Sequence, residues 1–430
     1  MTNILKLGNE TIQGLDDLAR ISGQIEDGQD EGLVVVTVAL GDTTNLVADA
    51  LYFGNHHKAK RVFSPYQRLI EQIGDSKLTE TFNVLQKEFD GRQLLAGQSR
   101  NIDELQLASG DILTAQVLHT YLQKSGINST FIYATSGEFP LRLKEKRSSL
   151  DVDMQGSREI AQSLKSRHKV LIIPGYAGNH DGLVRTLGRG GGDTAAFVYA
   201  YAFDADSVWV VAEDALTTGP VQHANLVDEI DLDEAWAAGF LGARLKTSKA
   251  IDYLRLFYNG HPNSQVFLTG KEMARYTRID PNAEPQPVRF IAARQMDRYG
   301  IAGNWIGVLN ALYKNPAVDW ELIGGRQGEL GILVSERGRE LGYDMLTRAE
   351  RRGDIRIAHK GRVVYLGVVG SGMSEEEGIA ARVYNSLRHV NVSREYDPDV
   401  TKPNSKSMGI ILDPKYEQQA LEAVHREFFP

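Results

Sequence analysis

The chemistry-bearing stretch of this chain is Thr186-Leu187-Gly188-Arg189-Gly190-Gly191-Gly192-Asp193. Three consecutive glycines, Gly190, Gly191 and Gly192, let a backbone pass close to a ligand with its N–H groups turned outward. The run Thr194–Phe203 reads as a helix, and a helix N-terminus directly behind the glycines adds a partial positive charge suited to phosphate. Arg189 can fork onto a carboxylate or a phosphate. Asp193 sits at or just before the first helical turn, a place where aspartate also serves as a plain N-cap. The spacing is neither GxxxxGK(S/T) nor GxGxxG, so two common nucleotide-binding folds lose support. A separate lysine, Lys6, lies in the short apolar stretch 4–8.

These groups act together only if strands and helices carry them to one place. Apolar runs at 4–8, 33–40, 131–134, 170–173 and 208–212 are too short for helices and read as strands. Gly41-Asp42-Thr43-Thr44-Asn45 is turn chemistry feeding a helix that begins near Leu46. Phe63, Tyr66, Leu69, Ile70 and Ile73 recur at helical spacing, and 103–124 reads as a further helix. That helix contains Ser109-Gly110-Asp111, a glycine where propensity would choose another residue. The glycine implies either close approach of a backbone or ligand, or tight helix packing. Adjacent His56 and His57 point apart on any regular element, so no metal site is expected there. Strands alternating with helices over residues 1–270 imply a mostly parallel sheet covered on both faces. In such sheets the ligand crevice lies beyond the carboxyl ends of the strands. Lys6-Leu7-Gly8, Gly41–Asn45, Gly175-Tyr176 and 186–193 all end or follow strands, and so can converge at one edge.

Residues 280–287 hold three prolines in eight positions and read as a linker. Beyond it two βαββαβ-like units follow. The first has strands at 288–294, 317–324, 330–335 and 354–359, with helices at 300–313 and 338–352. The second has strands at 363–369, 390–396 and 407–412 and helices at 375–388 and 416–428, without an evident final strand.

Composition narrows the function classes. Lys+Arg 48 against Asp+Glu 56 gives a net charge of −8 with no basic stripe, which argues against a nucleic-acid binder. The absence of cysteine excludes disulfides, thiolate zinc sites and a cysteine nucleophile. No apolar run reaches membrane-spanning length and no signal-peptide pattern is seen, so a cytoplasmic protein of two or three domains is expected.

Together these motifs resemble those of the aspartokinases. Thr186–Asp193 is similar to that family's TLGRGGSD, residues 241–251 (LGARLKTSKAI) to its FGAKVLHP segment, and residues 367–387 to a strand-to-helix passage of an ACT domain. The resemblance implies an α/β fold, with a three-layer αβα amino-acid-kinase domain over 1–280. ACT-like domains would follow at 288–361 and 362–430. It implies ATP-dependent phosphorylation of the side-chain carboxylate of aspartate or a close analogue to an acyl phosphate, with Mg²⁺ carried on the nucleotide. Lys6 matches the lysine that neutralises the transferred phosphoryl group, and Asp193 the acidic residue of the catalytic centre. Arg189 matches the arginine that grips the α-carboxylate, and Thr44 a threonine near the substrate. Asp111 matches a glutamate that contacts the amino group, and Tyr176 an aromatic residue lining the pocket. Gly8, Gly190, Gly191, Gly192 and Arg244 fall on the phosphate side. Homodimerisation through the ACT units is implied, with an amino-acid effector, lysine or threonine, at the Gly370-Ser371-Gly372-Met373 turn.

The departures cluster on the ATP side. Asn9 and Glu10 stand where the family has glycine and threonine. Trp209–Ala212 lacks an acidic residue, Thr217–Val221 lacks an arginine, Arg244 replaces a lysine, and Gly192 replaces a serine. They leave an alternative reading, a pseudokinase that binds an amino acid and regulates, and they allow a duty in a specialised pathway.

Overall fold

Leu33–Thr37 is β-branched at four of its five positions and buried at all five, the pattern of a strand covered on both faces. The computed structural model describes residues 1–28, 31–53, 61–93, 100–146, 149–188, 190–243, 245, 250–314, 318, 320–323, 328–335, 339–392 and 406–430. Among them two units separate, one of residues 1–214 and 249–276, the other of 215–248 and 277–430.

In the first unit six parallel strands lie in the order Gln265–Thr269, Ser207–Val211, Asn3–Lys6, Leu33–Thr37, Val170–Pro174 and Thr130–Phe131. Alternation along each strand sorts the core. Leu5, Leu33, Val35, Val170 and Ile172 join one cluster with Leu18 and Ile21 of helix Leu15–Gly28 and with Leu113 and Val117 of helix Arg100–Lys124. The intervening Ile4, Val34, Val36, Leu171 and Ile173 are equally buried, and helix Gly191–Ala202 packs on these strands. The expected parallel sheet with helices on both faces is present. It puts the ends of Asn3–Lys6, Leu33–Thr37 and Val170–Pro174 side by side. The helix expected from Leu46 starts earlier, at Thr43.

The second unit carries a five-stranded antiparallel sheet, Trp320–Ile323, Leu330–Ser335, Phe290–Gly303, Ile355–Val369 and Ser407–Leu412. Phe290–Gly303 pairs with Ile355–Val369 along its whole length, from Phe290↔Val369 to Gly303↔Ile355. Here the structure corrects the reading in several places. The short strand at 288–294 extends to Gly303, the helix expected from residue 300 begins at Ile306, and the strands at 354–359 and 363–369 are one. Opposite Gly300 and Ile301 the partner strand carries one extra residue, between Ile357 and His359, while the alternation of Phe290–Gly303 itself continues, with Tyr299 and Ile301 in one core.

Two helix-covered cores share that strand. Ile291 sits with Val364, Leu366, Val383, Ile410 and Val424, whereas Tyr299 and Ile301 sit with Val308, Ile332, Val334 and Leu346. The strand missing from the second repeat is therefore the first half of Phe290–Gly303. One repeat is nested inside the other, and the division at 361/362 falls within a continuous strand. Residues 393–396 of the strand expected at 390–396 lie outside the described residues. So do His56 and His57. Among the described residues no helix is long and apolar enough to cross a membrane.

Candidate active site

Lys6 is the last residue of its strand and only 4% exposed. Its Nζ meets Asp193 Oδ1 at 2.7 Å, and Asp193 is 1% exposed. A buried pair of this kind is stable only while both partners are present, because either alone would be an uncompensated charge in a dry site. Asp193 lies in the first turn of helix Gly191–Ala202, where the helix dipole favours an anion. The helix starts three residues before the expected Thr194. Its N-cap is Gly190, in the left-handed region at φ 69°, rather than Asp193.

The glycines permit this convergence at specific contacts. A Cβ on Gly192 would overlap Val38 Cγ1 and stand 3.5 Å from Lys6 Cε, and the Cα of Gly192 lies 3.2 Å from where Gly175 would carry its own Cβ. A Cβ on Gly191 would come within 2.9 Å of the Tyr176 ring. A Cβ on Gly8 would stand 2.7 Å from the Val211 carbonyl oxygen. The N–H of Gly191 donates to the Gly188 carbonyl at 3.0 Å. It is therefore not among the donors turned toward a ligand, which corrects the expectation for the middle glycine.

Asp111, on helix Arg100–Lys124, is 2% exposed and lies within the field of Lys6. Burial pushes its carboxyl up to about 8, against the pull of the Ala39 and Tyr176 backbone amides and of Lys6. The helix is fastened there by Thr37 Oγ1, which donates to the Asp111 carbonyl at 3.1 Å. Gly110 allows the approach: a Cβ would lie 2.6 Å from Ala39 Cβ and 3.0 Å from Thr43 Cγ2. The glycine in Ser109-Gly110-Asp111 thus serves close packing of the helix on the turn that borders the site.

Lys6, Asp193, Asp111, Tyr176 and Gly190–Gly192 accordingly gather at the carboxyl ends of neighbouring strands, and Gly8 follows directly. Thr44 is half-buried, the second residue of helix Thr43–Phe53. Arg189 and Arg244 lie outside the described residues. Sequence reasoning missed Thr37, Val38 and Tyr66. The Tyr66 hydroxyl donates to the Gly110 carbonyl at 3.0 Å and accepts from Leu40 N–H at 2.9 Å. In the sequence Tyr66 stands only as one position of an apolar stripe. A lone threonine inside LVVVTVAL was the available signal for Thr37.

In the second unit the Gly370–Met373 turn is filled from within. A Cβ on Gly370 would overlap the Pro287 carbonyl oxygen and lie 2.6 Å from that of Gln286. Gly372 N–H donates to the Gln286 carbonyl at 2.9 Å. Ser371 N–H donates to Glu234 Oε1 at 2.9 Å, and Glu234, with no exposed surface, also pairs with Arg289 at 3.3 Å. The backbone of the turn is thus packed against residues 286–287 and Glu234.

Residues 1–261 match the family model described as Amino acid kinase family. The chain belongs to the amino acid kinase family, the class that the parallel sheet and the glycine-rich helix start define. Within that class its full-length likeness is to aspartokinases. An aspartate kinase of Stutzerimonas stutzeri (strain A1501) is 21% identical over 97% of this chain and 94% of its own length. E. coli aspartokinase III in complex with aspartate and ADP (R-state) superposes with a TM-score of 0.77 at 16% identity, over 100% of both chains. The same enzyme with lysine and aspartate (T-state) gives 0.71 at 16% identity, again over 100% of both. The fold expected from the resemblance is borne out.

Proposed function

We propose that this protein transfers the γ-phosphoryl group of ATP to the side-chain carboxylate of L-aspartate, giving 4-phospho-L-aspartate. The observation that carries the reading is the buried Lys6–Asp193 pair, 2.7 Å apart at the start of a glycine-led helix. Phosphoryl transfer to a carboxylate needs little covalent help from a protein. It needs positioned cations and N–H donors around charge that spreads over the phosphoryl oxygens. Lys6 supplies the cation where water is excluded, and Asp193 holds its ammonium at a fixed point. Exclusion of water also protects an acyl phosphate from hydrolysis. Arg189 would grip the α-carboxylate, Tyr176 and Thr44 would line the amino-acid side, and Gly8, Gly190, Gly192 and Arg244 the phosphate side.

Among the described residues no three of His, Asp and Glu gather as a metal site. Mg²⁺ would enter with the nucleotide, screening its phosphates. Residues 288–430 would act as paired ACT-like regulatory units that dimerise and answer to an amino acid such as lysine or threonine. The kinase reading is tested by ADP release from Mg-ATP across a panel of amino acids, with hydroxylamine trapping of the acyl phosphate. Release with L-aspartate and a trapped hydroxamate support it. Amino-acid binding without ADP release would leave a binding protein instead.

A further inference from the structure

Asn9 and Glu10 read in sequence as obstructions beside a polyphosphate. Each side chain has a different set of partners in the structure. Gly41 N–H donates to the Asn9 carbonyl at 2.8 Å. Asn9 Nδ2 donates back to the Gly41 carbonyl at 3.1 Å, and its second hydrogen goes to Glu10 Oε1 at 3.2 Å. Gln13 Nε2 donates to Glu10 Oε2 at 3.3 Å, so both Glu10 oxygens are engaged within the loop.

The two residues so joined sit on different sides of the site. Asn9 belongs to the loop after Lys6, and Gly41 to the turn after Leu33–Thr37. Loops beyond the ends of parallel strands have no ladder between them. Here the Asn9 carboxamide stands in for a peptide group and closes a reciprocal pair. Gly41, which makes both bonds, has φ +52°, a conformation glycine adopts freely. The far side of the same turn is held toward Asp111. Leu40 N–H donates to the Tyr66 hydroxyl, Thr43 Oγ1 donates to the Leu40 carbonyl at 2.6 Å, and the Ala39 amide faces the Asp111 carboxyl. The turn 39–43 is thus fixed between the helix bearing Asp111 and the loop bearing Asn9.

We propose that Asn9 is a positioning residue that clasps the phosphate loop 7–11 to the acceptor turn 39–44, so that nucleotide bound to one tightens the amino acid bound by the other. The proposal rests on reading this site as a phosphotransfer centre. It differs from that reading in concerning the coupling of the two half-sites rather than the reaction.

The test measures calorimetric affinity for L-aspartate with and without Mg-AMPPNP, in the full-length wild type, Asn9→Ala and Asn9→Asp. Asn9→Ala keeps the main-chain bond from Gly41 and removes the clasp. Asn9→Asp keeps the shape but sets a carboxylate against the Gly41 carbonyl and Glu10. In the wild type the nucleotide should tighten aspartate at least about fivefold. In Asn9→Ala that ratio should fall to near one while nucleotide affinity alone stays within about twofold, and Asn9→Asp should be no better. Hydrogen exchange over 39–47 reads the clasp without aspartate: the nucleotide should slow exchange there in the wild type and not in Asn9→Ala. A wild-type coupling ratio or protection pattern that persists in Asn9→Ala overturns the clasp alone. Tighter nucleotide binding in Asn9→Ala restores the obstruction reading. A wild type that binds no nucleotide sinks both the phosphotransfer reading and the clasp.

Discussion

Replacing Gly192 by serine, the residue that the resemblance places there, tests how tightly the start of the helix Gly191–Ala202 is packed. A Cβ at this position would overlap Val38 Cγ1 and reach 3.5 Å from Lys6 Cε, while carbon pairs rest comfortably at about 3.5–4.0 Å. Something must move. The helix start cannot retreat easily, because Gly191 is backed by the Tyr176 ring and Leu187 and Gly192 lies against Gly175. The remaining route is rotation of Val38, whose β-branched side chain has one preferred χ1 and whose displacement costs about 0.5–1.5 kcal/mol. Overpacking of this kind costs about 1–3 kcal/mol, and half-buried Val38 puts the estimate near the lower end. Serine recovers about 0.5 kcal/mol of helix propensity over glycine, leaving a net loss of about 1 kcal/mol. That corresponds to a fall in Tm of about 2–4 °C for a unit of this size. Urea unfolding of the wild type, Gly192→Ser, Val38→Ala and the double variant gives the decisive quantity. The double variant should be more stable than the sum of the singles by about 1 kcal/mol, because the alanine makes the room that the serine needs. ADP release should fall in Gly192→Ser, since the displaced contact borders Lys6, and recover in the double variant. A Gly192→Ser protein with the wild-type urea midpoint and no coupling to Val38 would show that the overlap does not govern this position.

Two other outcomes follow from burial. Asp111 stays protonated in the folded chain up to about 8, whereas unfolded it ionises near pH ~4. Between those values the folded state holds a proton that the unfolded state has released, so stability falls as pH rises through the window and levels off above it. Asp111→Asn removes this dependence; wild-type stability relative to the variant should fall between pH 5 and 8, and a wild-type advantage growing over that range would refute it. In the second unit, Gly370→Ala sets a methyl against two backbone carbonyl oxygens that cannot rotate away. It should cost about 3 kcal/mol or more by urea unfolding, and a loss under about 1 kcal/mol would refute close packing of the 286–287 segment on this turn.

Local pattern alone determined much of this protein. Leu33–Thr37 and Val170–Pro174 are legible as strands because both of their faces are buried, so apolar residues run without a break. Lys6 and Asp193 are legible because each stands where a strand or a glycine-rich turn ends, and parallel topology brings such ends together. What the tertiary structure decided involves partners distant in sequence. The carboxamide of Asn9 is an obstruction or a clasp according to where Gly41 lies, 32 positions on. The missing serine at 192 is a loss or a fit according to the side chain of Val38. Gly370–Met373 is an open turn or a filled one according to Gln286, Pro287 and Glu234. Phe290–Gly303 reads as a short strand followed by a helix because its two halves serve different cores. In each case the residue type sets which contacts are possible, and only the fold supplies the neighbour that selects among them.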